Sequence, residues 1–369
     1  MVSTSDLPCL MAVLSLSLGF SPVTAKFENM TRRQVLHSLL DDPEYDPQIP
    51  PDFDKDVPTN VTIQIHILSF HTINEVSMDY TMTFYLRRKW VDERLAFTSF
   101  PGAEVLELDT RVIDKLWVPD IYFRNEKSAS VHNVTVPNRL LHLHKNGTVL
   151  YSSRLSMTLS CQMDLTLFPL DVQSCPLIIQ SYSYTTANVD FQWTQADGKV
   201  TKADDLEMAR FIDAGVITAD CIGMYESQFA CIMATFMLKR HVGYFLVHMF
   251  LPSVLVVILS WVSFWIDSAA TPRRITIGVM SILTMTTQSS GVQAILPRVS
   301  YIKAIDVWMS TCVAFVFAAL LEYAYVNTLS RQEELFRRDV RDSNSRKQDT
   351  EVLETLMPDT PKEPESSWS

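Results

Sequence analysis

Three groups of residues in this sequence have types and spacings that could do chemistry: paired cysteines, neighbouring histidines, and a polar segment that begins with two arginines. Four of the six cysteines form two close pairs, Cys161 with Cys175 and Cys221 with Cys231. Such pairs form disulfides when the chain enters an oxidising compartment. No Cys-x-x-Cys or matching histidine spacing accompanies them, so a zinc site is disfavoured. The sequence therefore predicts two disulfides.

The histidines offer little for metal binding or catalysis. His142 and His144 share one face of a predicted strand, but no third ligand lies close to them in the sequence. No nucleophile stands beside a base in a catalytic pattern. We therefore expect no metal site, no cofactor and no enzyme activity.

The polar segment is long enough to cross a membrane but has the wrong composition for lipid. From Ile275 to Ala294 no residue is charged, yet nine residues are Thr, Ser or Gln. Polar side chains that face lipid are costly, so these should face protein or water. Helical steps of four and three residues place some of them on one stripe. That stripe contains Thr276, Met280, Leu283, Thr287 and Ser290.

Two interpretations of the stripe remain open from periodicity alone. Several copies of the helix around an axis would line a pore, and a ring of Leu283 side chains would close it by dewetting. Alternatively, the helix packs inside a bundle through its Ser and Thr residues.

The first half of the sequence must position these groups with strands. The run "DYTMTFYLRRKW" alternates strictly, as a half-buried strand does. One face would carry Tyr80, Met82, Phe84 and Leu86, and the other Thr81, Thr83, Tyr85, Arg87 and Lys89. Similar short runs recur between residues 61 and 240, with a hairpin signal at Asn146-Gly147. This pattern predicts an antiparallel β-sandwich.

The second half contains three segments long enough to span a membrane as helices: residues 242–266, 274–294 and 304–325. Arginines cluster after the first and third segments, which places those ends in the cytoplasm. Residues 328–369 are charged and rich in Pro and Ser, which predicts a disordered cytoplasmic tail.

The N-terminus predicts export. An apolar run precedes Val23-Thr24-Ala25, so residues 1–25 match a signal peptide, and residues 26–241 would form an extracellular domain. The net charge of −11 argues against a nucleic-acid partner. Four glycosylation sequons all lie in the first half, as expected for that side of the membrane. They are Asn29, Asn60, Asn133 and Asn146.

Together these features resemble a Cys-loop, or pentameric ligand-gated, ion-channel subunit of the glycine receptor and glutamate-gated chloride channel branch. Cys161 and Cys175 enclose "QMDLTLFPLDVQS", with Phe168, Pro169 and Asp171 at its tip. "ILSWVSFWI" ends the first span as in glycine receptors, and "LTMTTQSSG" and "VSYIKAIDVW" match the pore helix and the segment after it. The second cysteine pair is typical of this branch.

The resemblance implies a homo- or hetero-pentamer with related subunits in the plasma membrane, at the postsynaptic side of a synapse. The fold expected is an extracellular antiparallel β-sandwich followed by α-helical transmembrane spans over residues 242–327. Four spans are usual in the family, and the sequence indicates three. Two hypotheses therefore remain: a transmitter-gated anion channel subunit, or a truncated non-conducting subunit that acts in assembly as a decoy.

The resemblance also implies which ion passes. Cation-conducting relatives carry an acidic ring at the cytoplasmic mouth, whereas chloride-conducting relatives have Pro-Ala-Arg there. This sequence has Pro272, Arg273 and Arg274, which implies chloride, with Arg273 in place of the usual Ala. The implied pore lining continues through Thr276, Met280, Leu283 and Thr287.

The implied ligand site lies between two subunits. One contributes Gln180, Ser181, Tyr182 and Tyr184, with Tyr225, Ser227 and Phe229 from the Cys221–Cys231 loop; its neighbour contributes Tyr85, Arg87 and Ser152. Arginine can clamp a carboxylate through two hydrogen bonds, and aromatic rings can surround an ammonium group. A small amino acid, glutamate or glycine, is therefore the expected transmitter.

Coupling from the ligand site to the pore is implied for five residues. They are Asp171, Arg240, Arg298, Tyr301 and Lys303. Asp171 and Arg240 are expected to pair.

Overall fold

The structure is a computed structural model that describes residues 27, 30–195, 198–221, 228–266 and 271–356. The chain divides into two compact units. One contains Met1–Asp164 and Asp171–His241, and the other contains Leu165–Leu170 and Val242–Ser369.

The first unit begins with helix α1 (Arg32–Leu40) and continues as a β-sandwich. In chain order its strands are β1 (Thr59–Asn74), β2 (Asp79–Val91), β3 (Val105–Leu108), β4 (Ile121–Phe123), β5 (Glu126–Val131), β6 (Arg139–His144), β7 (Thr148–Ser160), β8 (Val172–Thr185), β9 (Val189–Trp193), β10 (Val200–Lys202), β11 (Phe211–Asp220) and β12 (Phe229–Arg240). The larger sheet has the order β10-β1-β2-β7-β6-β3, with β5 added on β7 and β9 on β1. The smaller sheet has the order β11-β12-β8-β4.

Strand β2 shows why the two sheets pack together. Tyr80, Met82 and Phe84 are fully buried, as the alternating sequence predicts. The Tyr80 ring lies 6.2 Å from that of Phe236 on the smaller sheet. Its hydroxyl donates to the Pro176 carbonyl at 2.8 Å. The apolar face is thus removed from water, while the opposite face stays available for binding.

Both predicted disulfides are confirmed. Cys161–Cys175 follows β7 of the larger sheet and lies in β8 of the smaller one, so it joins the two sheets across a separation of 14 residues. Cys221–Cys231 joins the end of β11 to β12 across 10 residues. Loops of this size lose roughly 3 kcal/mol of unfolded-state entropy when a disulfide closes them.

The second unit is helical. Its first segment contains α2 (Gly243–Phe245), a π-helical turn (Leu246–Phe250), α3 (Leu251–Val262) and a 3-10 turn (Ser263–Trp265). Helices α4 (Thr271–Ile295) and α5 (Ala304–Leu356) follow. Among the described residues, two helical segments are apolar and long enough to cross a membrane, Gly243–Trp265 and Ala304–Thr350. Helix α4 has 25 residues, which is sufficient length, but it carries the polar residues described above.

The prediction of a disordered tail is wrong for residues 328–356, because α5 continues through them. The sequence from Ala304 to Leu356 contains no Gly or Pro, and its polar part is rich in Glu and Arg, which favour helix. Charges of opposite sign lie at helical spacing; Arg337 donates to Glu333 at 3.2 Å. The prediction of disorder rested on the overall polarity of the segment, which does not take the helical spacing of the charges into account.

Helix α4 packs through one stripe, which contains Arg274, Gly278, Ser281, Met285 and Val292. A Cβ atom added at Gly278 would lie 2.3 Å from a Leu320 methyl carbon, so glycine permits the close approach of α4 to α5. The polar stripe predicted from periodicity faces away from the unit, and Met280 and Leu283 are 56% and 54% exposed. Within one subunit, α4 therefore packs through its buried stripe and not through the stripe predicted from periodicity.

Candidate ligand-binding and pore sites

The outward face of the larger sheet carries a concavity of about 900 Å³. Its central row follows the strand register: Gln64 on β1 pairs with Arg87 on β2, Arg87 with Ser152 on β7, and Ser152 with Leu140 on β6. Tyr85 lies two residues from Arg87 on the same face. The β-register thus brings together all three residues expected on this face.

The concavity is strongly cationic. Arg87, Lys89, Arg139 and Arg154 line it, and none of its lining residues is Asp or Glu. Arg87 Nη1 donates to Gln64 Oε1 at 3.1 Å, which orients the guanidinium along the sheet. A cleft lined by one sign of charge concentrates ligands of the opposite sign. The sequence pattern placed Arg87 and Lys89 on this face of β2, although only Arg87 was assigned to the ligand site. It missed Arg139 and Arg154, because β6 and β7 are distant from β2 in sequence.

Arg88, the residue next to Arg87, lies on the opposite face of β2 and has a different role. Arg88 faces the other side of β2, where its guanidinium lies 4.2 Å from the centre of the Tyr151 ring. Burial lowers the pKa of Arg88 to about 10. Arg88 therefore contributes to packing, and Arg87 is the arginine that faces the concavity.

A second set of predicted site residues lies at the end of β8. Tyr182 is 77% exposed, and its ring stands perpendicular to that of Tyr122 at 5.6 Å. The Ser181 hydroxyl donates to Asp120 at 2.6 Å, so it is already used within the chain. Trp117 Nε1 donates to the Tyr184 hydroxyl at 3.4 Å. The exposed tyrosine can contact a ligand, whereas Ser181 and Tyr184 hold the strand end in place.

Asp120 and Tyr122 contact the predicted site residues, and sequence reasoning missed both. Asp120 also accepts from the Ser183 backbone N–H at 2.6 Å, so it fixes the turn that presents Tyr182. Gln180 is buried, and it accepts from the Tyr122 hydroxyl at 3.0 Å and from Arg124 at 3.3 Å. The pairing of β4 with β8, which no local pattern reveals, creates this network.

The Cys221–Cys231 loop is only partly placed. Phe229 opens β12, where it pairs with Thr185 of β8. Tyr225 and Ser227 lie outside the described residues.

Arg240 lies at the centre of a buried charge cluster. Its Nε and Nη2 donate to the two Asp171 oxygens at 2.8 and 3.0 Å, and Nη1 donates to Glu75. Its guanidinium also lies 4.5 Å from the Phe211 ring. Burial alone would lower the pKa of Arg240, but the bonds to Asp171 and Glu75 outweigh burial and raise it. The expected contact of Asp171 with Arg240 is present, and Glu75 completes it.

The tip of the Cys161–Cys175 loop belongs to the helical unit. The Leu165 N–H donates to the Tyr301 hydroxyl at 3.0 Å, and the Ala304 N–H donates to the Thr166 carbonyl at 2.8 Å. The Phe168 ring packs edge-on against Phe245 at 5.0 Å. The tip therefore contacts the segments before the first span and before α5.

The other two residues expected in coupling lie in the same link. Lys303 pairs with Asp306 at 3.1 Å, and Arg298 is exposed. Among the three link residues expected in coupling, Tyr301 accepts a hydrogen bond from the tip of the Cys161–Cys175 loop through its side-chain hydroxyl.

Two protein-family models match this chain and identify its family. The model of the neurotransmitter-gated ion-channel ligand binding domain matches residues 32–242, and that of the neurotransmitter-gated ion-channel transmembrane region matches residues 249–368. The chain belongs to the neurotransmitter-gated ion-channel family. Members of this family are pentameric membrane channels, and the family is not one of enzymes.

In this neurotransmitter-gated channel subunit, α4 places its predicted pore residues in two environments. Thr276, Met280, Leu283 and Thr287 are exposed, as is Pro272. The threonine hydroxyls donate to carbonyls of their own helix; Thr276 donates to Pro272 at 2.8 Å and Thr287 to Leu283 at 3.0 Å. Self-satisfied hydroxyls can face water or protein without an unpaired donor. Arg273 is exposed, whereas Arg274 is buried.

Three predicted glycosylation sequons of the channel subunit are placed. Asn60, Asn133 and Asn146 are all exposed on the β-sandwich. Asn29 lies outside the described residues.

Proposed function

We propose that this chain is a subunit of a chloride channel that a small amino acid, glutamate or glycine, opens. The observation that carries the proposal is the cationic concavity around Arg87, which contains no carboxylate among its lining residues. A carboxylate ligand finds both the bidentate guanidinium and a favourable field there.

The ligand would bind between two subunits. Its carboxylate would lie on Arg87 and Ser152 of one subunit, with Tyr85 beside them. Its ammonium group would lie among Tyr182, Tyr225 and Phe229 of the neighbour, where cation–π attraction is worth about 0.5–2 kcal/mol. The excess of cations favours glutamate over glycine, because glutamate has a second carboxylate for Lys89 or Arg154 to attract.

The permeating ion would be chloride. Helix α4 carries Arg273 and Arg274 in its first turn and contains no acidic residue. Positive rings at a narrow mouth, together with the positive ends of the helix dipoles, favour anions. The subunit would lie in the postsynaptic plasma membrane with residues 26–241 outside, its signal peptide removed and its sequons open to glycosylation.

Ligand binding would reach the pore through two sites that follow one another along the Cys161–Cys175 loop. In the β-sandwich, Arg240 ties the end of β12 to Asp171 beside the loop tip. In the helical unit, Tyr301 holds the tip itself. A change in the strand ends would thereby bias the link that precedes α5.

Expression of the full chain in voltage-clamped cells, alone and with related subunits, tests the proposal. We expect currents evoked by glutamate or glycine whose reversal potential follows the chloride gradient. A reversal potential that follows sodium would contradict the chloride assignment. Failure of both amino acids to bind surface-expressed protein would contradict the ligand assignment. Ligand binding without current in any combination would favour the alternative, a non-conducting assembly subunit.

A further inference from the structure

A π-helical turn interrupts the first span at Leu246–Phe250, and Pro252 follows in the first turn of α3. In a π-turn each backbone bond reaches five residues along the chain instead of four, and proline has no N–H to donate. Carbonyls beside such a break in a membrane helix accept side-chain donors from the same or a neighbouring helix. The carbonyls of Met249 and Phe250 both do so.

The donor to the Met249 carbonyl comes from α4. Gln288 Nε2 donates to this carbonyl at 3.1 Å. Steps of three and four residues lead from Met285 through Gln288 to Val292, so Gln288 continues the packing stripe. Its side chain is partly buried, whereas the stripe predicted from periodicity is exposed. Gln288 therefore faces the first span.

Ser253, one turn further along the first span, joins it to α5. Its hydroxyl donates to the Phe250 carbonyl at 2.8 Å and accepts from Trp308 Nε1 at 3.0 Å. Ser253 is fully buried, and the ring of Trp308 lies 5.1 Å from that of Phe250. The first span is thus bonded to α4 through the backbone of its π-turn and to α5 through a side chain beside that turn.

We infer that Gln288 is a positioning residue for gating, which transmits a movement of the first span to the helix that lines the pore. Strand β12 ends at Arg240, and only His241 and Val242 separate it from α2, so the chain itself leads from the strand to the π-turn. The bond from Gln288 continues this route to α4, separately from the route through the loop tip and the link before α5. The inference rests on the proposed pore role of α4, but not on the identity of the transmitter or the ion.

Gln288→Met tests the route, because methionine has a similar length and no donor. An interhelical hydrogen bond in a membrane protein changes an equilibrium by roughly threefold, so the half-activating concentration should rise by about that factor or more. Unitary conductance and the number of channels at the surface should stay unchanged. Gln293→Met, at an exposed glutamine of the same helix, is the matched control and should change nothing.

The agonist in these recordings is whichever of glutamate, glycine, γ-aminobutyrate and acetylcholine opens the native channel, expressed alone or with related subunits. A response to acetylcholine alone would refute the proposed transmitter, and Gln288→Met would still test the route. If none of the four evokes current, both the proposed function and this inference are overturned.

The acceptor can be weakened without changing any side chain. Incorporating the α-hydroxy acid of phenylalanine at position 250 turns the peptide bond after Met249 into an ester, whose carbonyl is a poorer acceptor. We expect the ester to raise the half-activating concentration, and its combination with Gln288→Met to raise it by less than the product of the two separate effects. A full product, or an unchanged or lower half-activating concentration in Gln288→Met, would overturn the inference. Should Gln288→Met fail to reach the surface, an unchanged half-activating concentration in the ester variant overturns it.

Discussion

Individual residues on strand β2 carry the ligand recognition that we propose for this subunit. Arg87 and Lys89 face the concavity, while Arg88 between them packs on Tyr151. Three consecutive cations therefore have two roles, and the strand period assigns them.

Arg87→Lys should raise the half-activating amino-acid concentration by about thirtyfold or more, since losing a bidentate charged contact costs about 2–5 kcal/mol. Lysine keeps the charge but lacks the planar fork. Concentration–response curves with surface labelling measure the effect. Arg111→Lys, an exposed arginine outside the concavity, is the matched control and should change nothing. An equal loss of response to a ligand without a carboxylate would show that Arg87 supports folding or gating instead.

Lys89→Gln should weaken glutamate more than glycine, because only glutamate has a second carboxylate. An exposed charge contact of about 1 kcal/mol corresponds to roughly fivefold in half-activating concentration. The ratio of the two concentrations is the quantity to measure. An unchanged ratio in a channel that expresses normally would remove Lys89 from ligand recognition.

Asp171→Asn should reduce surface expression or gating, because it replaces the carboxylate that accepts from Nε and Nη2 of Arg240 by a neutral amide and leaves Glu75 to balance the buried charge. Removing one partner of a buried ion pair costs about 3–5 kcal/mol. Quantitative surface labelling and agonist response report the two effects. Asp109→Asn removes an exposed aspartate that pairs with Arg111 and serves as the control. Normal expression and gating of Asp171→Asn would show that the cluster is dispensable.

At the scale of the element, α4 separates a buried packing stripe from an exposed stripe, which we propose lines the pore. The packing stripe includes Gly278, against which the Leu320 side chain packs closely. The exposed stripe is free to meet the same helix of other subunits around an axis. A substitution on α4 should therefore act according to its stripe, whatever its distance along the helix.

Leu283→Thr should wet the constriction, raise leak current in the absence of transmitter and increase apparent transmitter sensitivity. Ile275→Thr makes a comparable change at an exposed position off the stripe and should leave the leak unchanged. Voltage-clamp recordings at zero transmitter compare the two variants. Normal trafficking with unchanged gating in Leu283→Thr would place the constriction elsewhere.

At the scale of the whole molecule, ion selectivity is a property of the assembled ring, since one helix encloses no pore. Replacing Arg273 with Glu and deleting Pro272 should shift the reversal potential from the chloride towards the sodium equilibrium potential. Ion-substitution experiments on the assembled channel measure this shift. Unchanged chloride selectivity in that variant would mean that another part of the pore selects the ion.

The sequence by itself determined the features that depend on local period and spacing. A period of two placed Tyr80 and Arg87 on opposite faces of β2, and the spacing of the cysteines indicated both disulfides. Helical steps separated Leu283 from the packing stripe. Each of these patterns repeats over a few residues, so backbone geometry alone converts it into a position in space.

Tertiary structure alone decided the contacts between distant segments. Glu75 meets Arg240 across 165 residues, and Asp120 holds Ser181 across 61. The sequence interpretation assigned both Arg273 and Arg274 to the pore mouth, yet Arg274 is buried and donates to the Ile266 carbonyl at the end of the first span. The sequence specifies which groups need partners, but which partner each one meets depends on how strands and helices pack, because packing is what removes the competing water.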